Sequence, residues 1–296
     1  MIELGENRYG KAGIRLVKVV REPGGHRVRD LTVAVALEGG FEAAHTAGDN
    51  SAVVATDTMK NTVYALAKDH LTGSIEEFGL SLCRHFLAAE QVARVTVTLD
   101  EHRWRPLDLP TGPAADAFAR AGAPTRTAQV SAEAGSETVE AGLRDLTVMK
   151  TSGSAFSGFP RDRYTTMRDT EDRILATKVT ATWRYAPLAE DADGGRDYDA
   201  SWERVVDSIL EVFAAHHSPS VQASIWLMAE QVLERHADVE EVRMTLPNLH
   251  HWLVDLSPFG LTNENEIFVA TSEPYGLIEA TVRRGSPAAG SGGLPD

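Results

Sequence analysis

Four amphipathic helical stripes, set as two neighbouring pairs between runs of alternating apolar and polar residues, restrict this chain more than any other feature. The first pair is Met59, Val63, Leu66 and Ala67, then a stretch through Leu87 that opens on Ser74 with Glu77 three residues later, a capping box. The second pair is Trp202, Val205, Val206, Ile209, Leu210 and Phe213, then Val221, Ile225, Met228, Ala229, Val232 and Leu233. Before the first pair, Ile14–Val20 and Val28–Leu37 alternate as strands around Pro23-Gly24-Gly25, which predicts a hairpin. Between the pairs lie strand-like Ala93–Leu99, Thr127–Ser131, Ser136–Lys150 and Ala176–Tyr185. Glu241–Leu246, His251–Leu256, Glu266–Ala270 and Gly276–Arg283 close the chain as strands. Prolines 106, 110, 113 and 124 predict a loop or an exposed excursion, and Pro187–Arg196 an acidic surface loop.

Each half therefore runs strands, helix pair, strands, with no residue-level repeat. That order predicts an α+β fold with antiparallel sheet and the helices on one face. The other face then needs cover, which association of several chains into a closed barrel would supply. The expected modules are 1–135 and 136–285, followed by a tail at 286–296 whose composition suits fraying.

A formal net charge of −14 argues against a protein that tracks nucleic-acid phosphates or sits on anionic membranes. The single cysteine, Cys83, lies in an apolar helical run and reads as a small buried hydrophobe. Neither an 18-residue apolar segment nor a secretory leader is visible, and the last residues are not Ser-Lys-Leu, so a cytoplasmic protein is expected.

The chemistry-bearing candidates are scattered. Val148–Arg173, VMKTSGSAFSGFPRDRYTTMRDTEDR, leaves a strand and runs through Gly153, Gly158 and Pro160, which break both helical and strand periods. Phe156 and Arg173 within it could floor a flat ligand, one by stacking and one by a fork of donors, or could be ordinary core edges. Lys11, beside a glycine, reads equally as a solvated surface group. Thr56-Asp57 should lie at a helix cap, which either only caps or also receives an anion. Gln222 falls on the first turn of a helix, and Asn248 and His250 lie where Pro247 interrupts a strand pattern, as in a turn. His216-His217 and His250-His251 lack metal-ligand spacing, and no dinucleotide, P-loop or nucleophile-elbow motif is present, so neither metal nor organic cofactor is expected.

These pieces resemble, in order, those of the urate oxidase (uricase) family: Arg8-Tyr-Gly-Lys11, Asp49-Asn-Ser, Lys60-Asn-Thr62, His102-Arg-Trp104, the Leu146–Arg173 signature, Ala181-Thr-Trp183, Ser220-Val-Gln222 and Leu246-Pro-Asn-x-His250. Met167 stands where the family usually has Leu. The resemblance implies two tandem tunnelling-fold modules per chain and a barrel-like homotetramer with active sites at subunit interfaces. It implies oxidation of urate by dioxygen and water to 5-hydroxyisourate and hydrogen peroxide, towards allantoin, without metal or flavin. Carried over, Phe156 stacks on the purine, Arg173 and Gln222 grip its edge with help from the Val221 backbone, and Thr56 and Asp57 offer helix-start amides from a neighbouring subunit. Lys11, Thr56 and His250 would relay protons, and Asn248 would help hold dioxygen or water above the ring.

Overall fold

The computed structural model describes residues 2–188 and 195–285. They fall into two compact units, Met1–Thr147 with Lys178–Arg204, and Val148–Thr177 with Val205–Asp296. Packing thus cuts the chain in three places, whereas the repeat of element order cuts it once, near residue 135. The tail at 286–296 and most of the acidic stretch (189–194) lie outside the described residues.

In the first unit, β1 (Tyr9–Glu22) and β2 (Gly25–Gly39) form the expected hairpin, with Glu22 opposite Gly25 across Pro23-Gly24. Leu31, Val33, Val35 and Leu37 all point into the core, as the alternation predicted. The excursion that follows carries one helical turn, α1 (Glu42–Thr46), behind the buried ring of Phe41. Helices α2 (Thr56–His70) and α3 (Ile75–Leu87) come next. The Ser74–Glu77 capping box forms: Ser74 Oγ accepts from Glu77 N at 3.2 Å and Glu77 Oε2 accepts from Ser74 N at 2.9 Å. Ile75, Phe78, Leu82 and Cys83 of α3 are fully buried, each of the larger ones stabilising by about 1.5–3 kcal/mol. Burial pushes the Cys83 thiol up to about 12, so it stays protonated and inert.

The sheet continues through β3 (Val92–Glu101), against which α3 packs. The proline-rich stretch is the exposed excursion rather than a loop: it forms a two-stranded ribbon, β4 (Trp104–Leu109) with β5 (Gly112–Arg120). Its prolines are tolerated because the ribbon has free edges and its register slips between Pro106 and Asp108. Strands β6 (Thr125–Glu133), β7 (Ser136–Lys150) and β8 (Leu175–Tyr185) complete the order β1-β2-β3-β6-β7-β8, antiparallel at every pairing from β1 to β7.

No sequence pattern announced the charges buried in this unit. Arg126, with its side chain 5% exposed, bonds Glu76 at 2.7 Å and Asp199 at 2.5 Å and lies near Glu101. Arg29 bonds Glu101 at 2.6 Å and Asp199 at 2.5 Å. The Arg126 guanidinium also stands over the Trp202 ring, at 5.5 Å from its centroid.

Helix α4 (Tyr198–Ala215) leads into the second unit, where α5 (Val221–Arg235) packs on β9 (Val239–Leu249) and β12 (Gly276–Arg283). The predicted stripe of α5 is buried throughout. Pro247 does not interrupt its strand: β9 runs on to Leu249, with Pro247 opposite Leu277 and Asn248 opposite Gly276. The two strands expected after it are shorter, β10 (His251–Leu253) pairing with β11 (Phe268–Ala270). Among the described residues no helix is long and apolar enough to cross a membrane.

Candidate active site

Two groups of the predicted residues form, one on each compact unit. In the first unit, Lys11 lies within β1, opposite Val35. Just beyond it the register shifts between Lys11 and Ile14, with Gly13 at φ 69°, a bulge of the kind that re-aims a side chain. Gly10 is needed before it, because a Cβ there would lie 1.9 Å from the Val35 carbonyl oxygen. Gly10→Ala is expected to lower stability by about 3 kcal/mol or more, read as a fall in Tm, since the obstacle is sheet backbone that cannot rotate away.

The cap of α2 differs from expectation. Ala55, extended at φ −57° and ψ 134°, is the N-cap, and no side chain caps the helix. Thr56 and Asp57 are the first two helical residues, so their amide N–H groups precede the first helical bond, from Met59 N to Ala55 O. The Asp57 carboxylate is held by Lys60 and, at 3.0 Å, by Asn61. The hydrogen bond and charge of Lys60 keep it below the usual carboxylate range, with Lys11 adding to the effect. Lys11 is therefore brought beside the start of α2. What brings it there was missed in the sequence: the Tyr9 hydroxyl accepts from Val54 N at 2.8 Å and donates to Val54 O at 3.2 Å. Tyr9 sits two residues before Lys11, hence on the same strand face, which was the available signal.

In the second unit, the loop after β7 is tied on both sides. Phe156 exchanges backbone bonds with Thr170 at 2.7 and 3.0 Å, and Arg173 N donates to Ser154 O at 2.8 Å. These bonds put the Arg173 guanidinium over the Phe156 ring, 5.4 Å from its centroid. The Phe159 ring is stacked beside Phe156 at 5.1 Å and 12°, and Arg161 stands over Phe159. Met167 is exposed and offers Arg161 its carbonyl at 2.9 Å, while Pro160 is exposed next to the stack. Arg173 is half-buried, its Nε is buried without a partner, and burial alone draws its pKa down.

Val221 and Gln222 open α5 after its N-cap Ser220, Val221 buried and Gln222 exposed. Asn248 is in β9, half-buried. His250 occupies the single position between β9 and β10; its carbonyl accepts from Thr271 N at 2.9 Å and its ring stacks on Trp252 at 5.2 Å. Burial, and then the charge of Arg173, hold its pKa below the usual histidine value, which places His250 near Arg173.

Most of the chain, residues 7–131 and 139–279, matches the family model for uricase. A uricase of Arthrobacter globiformis is 45% identical over 294 residues, covering 96% of this chain and 90% of that protein. The chain belongs to the uricase family. A uricase of Dictyostelium discoideum is 40% identical, covering 96% of this chain and 98% of that one. The crystal structure of the Arthrobacter globiformis uricase superposes with a TM-score of 0.90 at 45% identity, over 98% of both chains. The fold is accordingly the α+β fold of solved uricases, and the activity is that of a urate oxidase. Among the described residues no group of three or more His, Cys, Asp or Glu side chains could hold a metal ion. A cavity of about 530 Å³ in the first unit is lined by Leu80, Arg84, Glu137, Tyr185 and Tyr198 among others, and by none of the candidate residues above.

Proposed function

We propose that this uricase binds urate on Phe156 and Arg173 and converts it, with dioxygen and water, to 5-hydroxyisourate and hydrogen peroxide without a resident metal or flavin. The observation that carries the binding half is Arg173, a half-buried guanidinium with an unpaired Nε over an aromatic face and only burial shifting its pKa. Such a donor fork is matched by a planar anion, whose charge-assisted bonds replace the water it has lost. Gln222 and the Val221 amide, at the exposed start of α5, add donors for the neighbouring ring edge.

Lys11, Thr56 and His250 supply proton transfer in this reading. The Thr56 hydroxyl serves no cap on its own helix, and Lys11 stands beside that helix start. His250, with its lowered pKa, is neutral at pH 7 and able to accept a proton. Protonation at lower pH removes that acceptor, so kcat should fall as pH drops below the ordinary histidine range, and should not fall because of His250 as pH rises above it. A urate dianion held by fixed donors gives electrons to dioxygen by way of a C5 hydroperoxide. Asn248 and Thr56 hold the oxygen or the water that follows it.

The residues divide between two packing units, and the large cavity in the first contains none of them. Exposed Trp252, Leu253, Phe259, Leu261 and Leu277 in the second unit offer apolar surface for a second copy. Both features favour a homotetramer built from the 1–135 and 136–285 modules, in the cytoplasm, with Thr56 and Asp57 supplied by a neighbouring subunit. Light scattering that finds an active monomer would remove this part of the reading.

The central test follows urate absorbance and peroxide in air, beside urate binding measured anaerobically by calorimetry. A folded protein that leaves urate untouched sinks the proposal. Arg173→Ala should weaken anaerobic binding by roughly a hundredfold, the loss of charged hydrogen bonds worth about 1.5–3 kcal/mol. It should also raise the His250 pKa, visible in an NMR titration, because a positive neighbour is gone.

A further inference from the structure

A chain of buried hydroxyls, outside the residues considered so far, lies between the two parts of the second unit that would hold the purine. Ser218 and Ser224 are both 0% exposed, and neither contacts Phe156 or Arg173 through its side chain among the described hydrogen bonds. The Ser218 backbone is bonded to the loop that carries the stacking ring. Its N–H donates to Gly153 O at 2.9 Å, and its carbonyl accepts from Ala155 N at 2.7 Å, the residue before Phe156. The loop is closed on its far side by Arg173 N to Ser154 O at 2.8 Å and by Gly153 N to Asp172 Oδ1 at 2.7 Å. A displacement of Ser218 therefore moves Phe156 and Arg173 together.

The Ser218 side chain faces the other way. Its Oγ reaches the Ser220 carbonyl at 3.1 Å and Ser224 Oγ at 2.7 Å. Ser220 caps α5 by accepting from Ala223 N at 3.1 Å, and Ser224 lies one turn into that helix. The segment between them is Val221-Gln222. Behind Ser224 stands His216, with Nε2 at 2.8 Å from Ser224 Oγ and Nδ1 at 2.6 Å from the Val212 carbonyl. A carbonyl can only accept, so Nδ1 carries the proton and Nε2 of the neutral ring accepts from Ser224. Ser224 has then given its one proton to His216 and not to the Ser220 carbonyl 3.2 Å away, and Ser218 directs its own single proton to Ser224 Oγ, the shorter contact, or shares it with the Ser220 carbonyl. Lys150, at the end of β7, donates to the His216 carbonyl and ties the same knot to the entry of the loop.

From this we infer that Ser218, backed by Ser224 and His216, is a positioning residue for urate: it sets the spacing between the Phe156–Arg173 loop and the Val221–Gln222 helix start. The inference rests on the urate reading of those four residues and adds a part to it. A hydrogen bond inside a close-packed core transmits its geometry, and misplacement of a binding group by an ångström or less is felt as lost affinity. Lys11 and Thr56 lie on the other packing unit, so the chemical step is expected to be much less affected than the grip.

The test uses the full chain with Ser218→Ala, Ser224→Ala and the double variant. Anaerobic calorimetry with urate gives Kd, steady-state assays in air give KM and kcat, and thermal melts report stability. Ser218→Ala should raise Kd and KM together by about tenfold, with kcat at saturation within about twofold of the parent, as expected for loss of uniform binding. Ser224→Ala should move the same quantities in the same direction, and the double variant should exceed the larger single effect by little, since both remove one bond. If Ser218→Ala does not fold, Ser224→Ala alone carries the decision. A fall in Tm with Kd and KM unmoved, or a fall in kcat with Kd unmoved, overturns the inference. A parent protein that binds urate but does not oxidise it removes the reaction and leaves the positioning role to be decided by Kd. A parent that neither binds nor consumes urate overturns both.

Discussion

Lys11→Met is expected to lower kcat by roughly a hundred- to ten-thousandfold, the range for removal of a general base, while anaerobic urate binding changes by less than about threefold. Methionine keeps the unbranched length of the lysine stem and so leaves β1, its bulge and the Tyr9–Val54 tether in place. What disappears, in the proposed relay, is the amine beside the start of α2 that passes the proton on; Asp57 and Lys60 there are paired with each other, and Asn61 also holds Asp57. In the proposed reading the grip on the substrate sits on other residues, Phe156, Arg173 and Gln222, so binding should survive. The measurement pairs single-turnover rates in air with anaerobic calorimetry. Loss of binding with an intact turnover rate would make Lys11 an anchor for the anion and not part of a relay.

Arg126→Met should destabilise the fold by about 3–5 kcal/mol, because it strips buried Glu76 of the guanidinium it bonds and leaves Glu101 and Asp199 to Arg29 alone. Glu76 is 0% exposed and Glu101 4% exposed, and neither can reach water by turning outward. A shift in Tm on the order of 10 °C in calorimetry is the expected readout for a protein of this size. The pH dependence follows from Asp199. Burial alone would push its pKa up, but Arg126 and Arg29 outweigh burial and hold it below the usual carboxylate value. A depressed carboxylate contributes stability above its unfolded pKa, about 3.9, and loses that contribution as pH falls through the folded value. Stability should therefore decline below about pH 4, and Asp199→Asn should flatten that part of the curve. Glu76 acts in the opposite sense. Burial raises its pKa in spite of Arg126, so the folded state takes up its proton more readily than the unfolded chain does.

Local order was legible because it depends on near neighbours along the chain. The hairpin at Pro23-Gly24, the Ser74 capping box, the core face of β2 and the buried stripe of α5 are all present. Each rests on a period of 2 or 3.6 or on a cap three residues long. The family was legible for the same reason, as short runs in a recognisable order, and the uricase family model matches residues 7–131 and 139–279. Local order misled where a residue's local preference conflicted with its tertiary setting. Pro247 reads as a break, yet it remains in β9, near the end of the strand opposite Leu277. Thr56 reads as a cap, yet Ala55 fills that place and leaves the threonine hydroxyl off the helix end.

The sequence by itself determined the main strands and the helix pairs, the class of fold and, through ordered motifs, the family; it did not show α1 or the β4–β5 ribbon. Only the tertiary structure decided what stands next to what. The Tyr9 tether that sets Lys11 beside α2, the network of three carboxylates and two arginines around Arg126, and the bonds of Ser218 to the Phe156 loop join residues tens of positions apart. No periodicity encodes such pairs. A buried polar group is satisfied by whichever partner folding delivers to it, and that is a property of the packed chain rather than of any window along it.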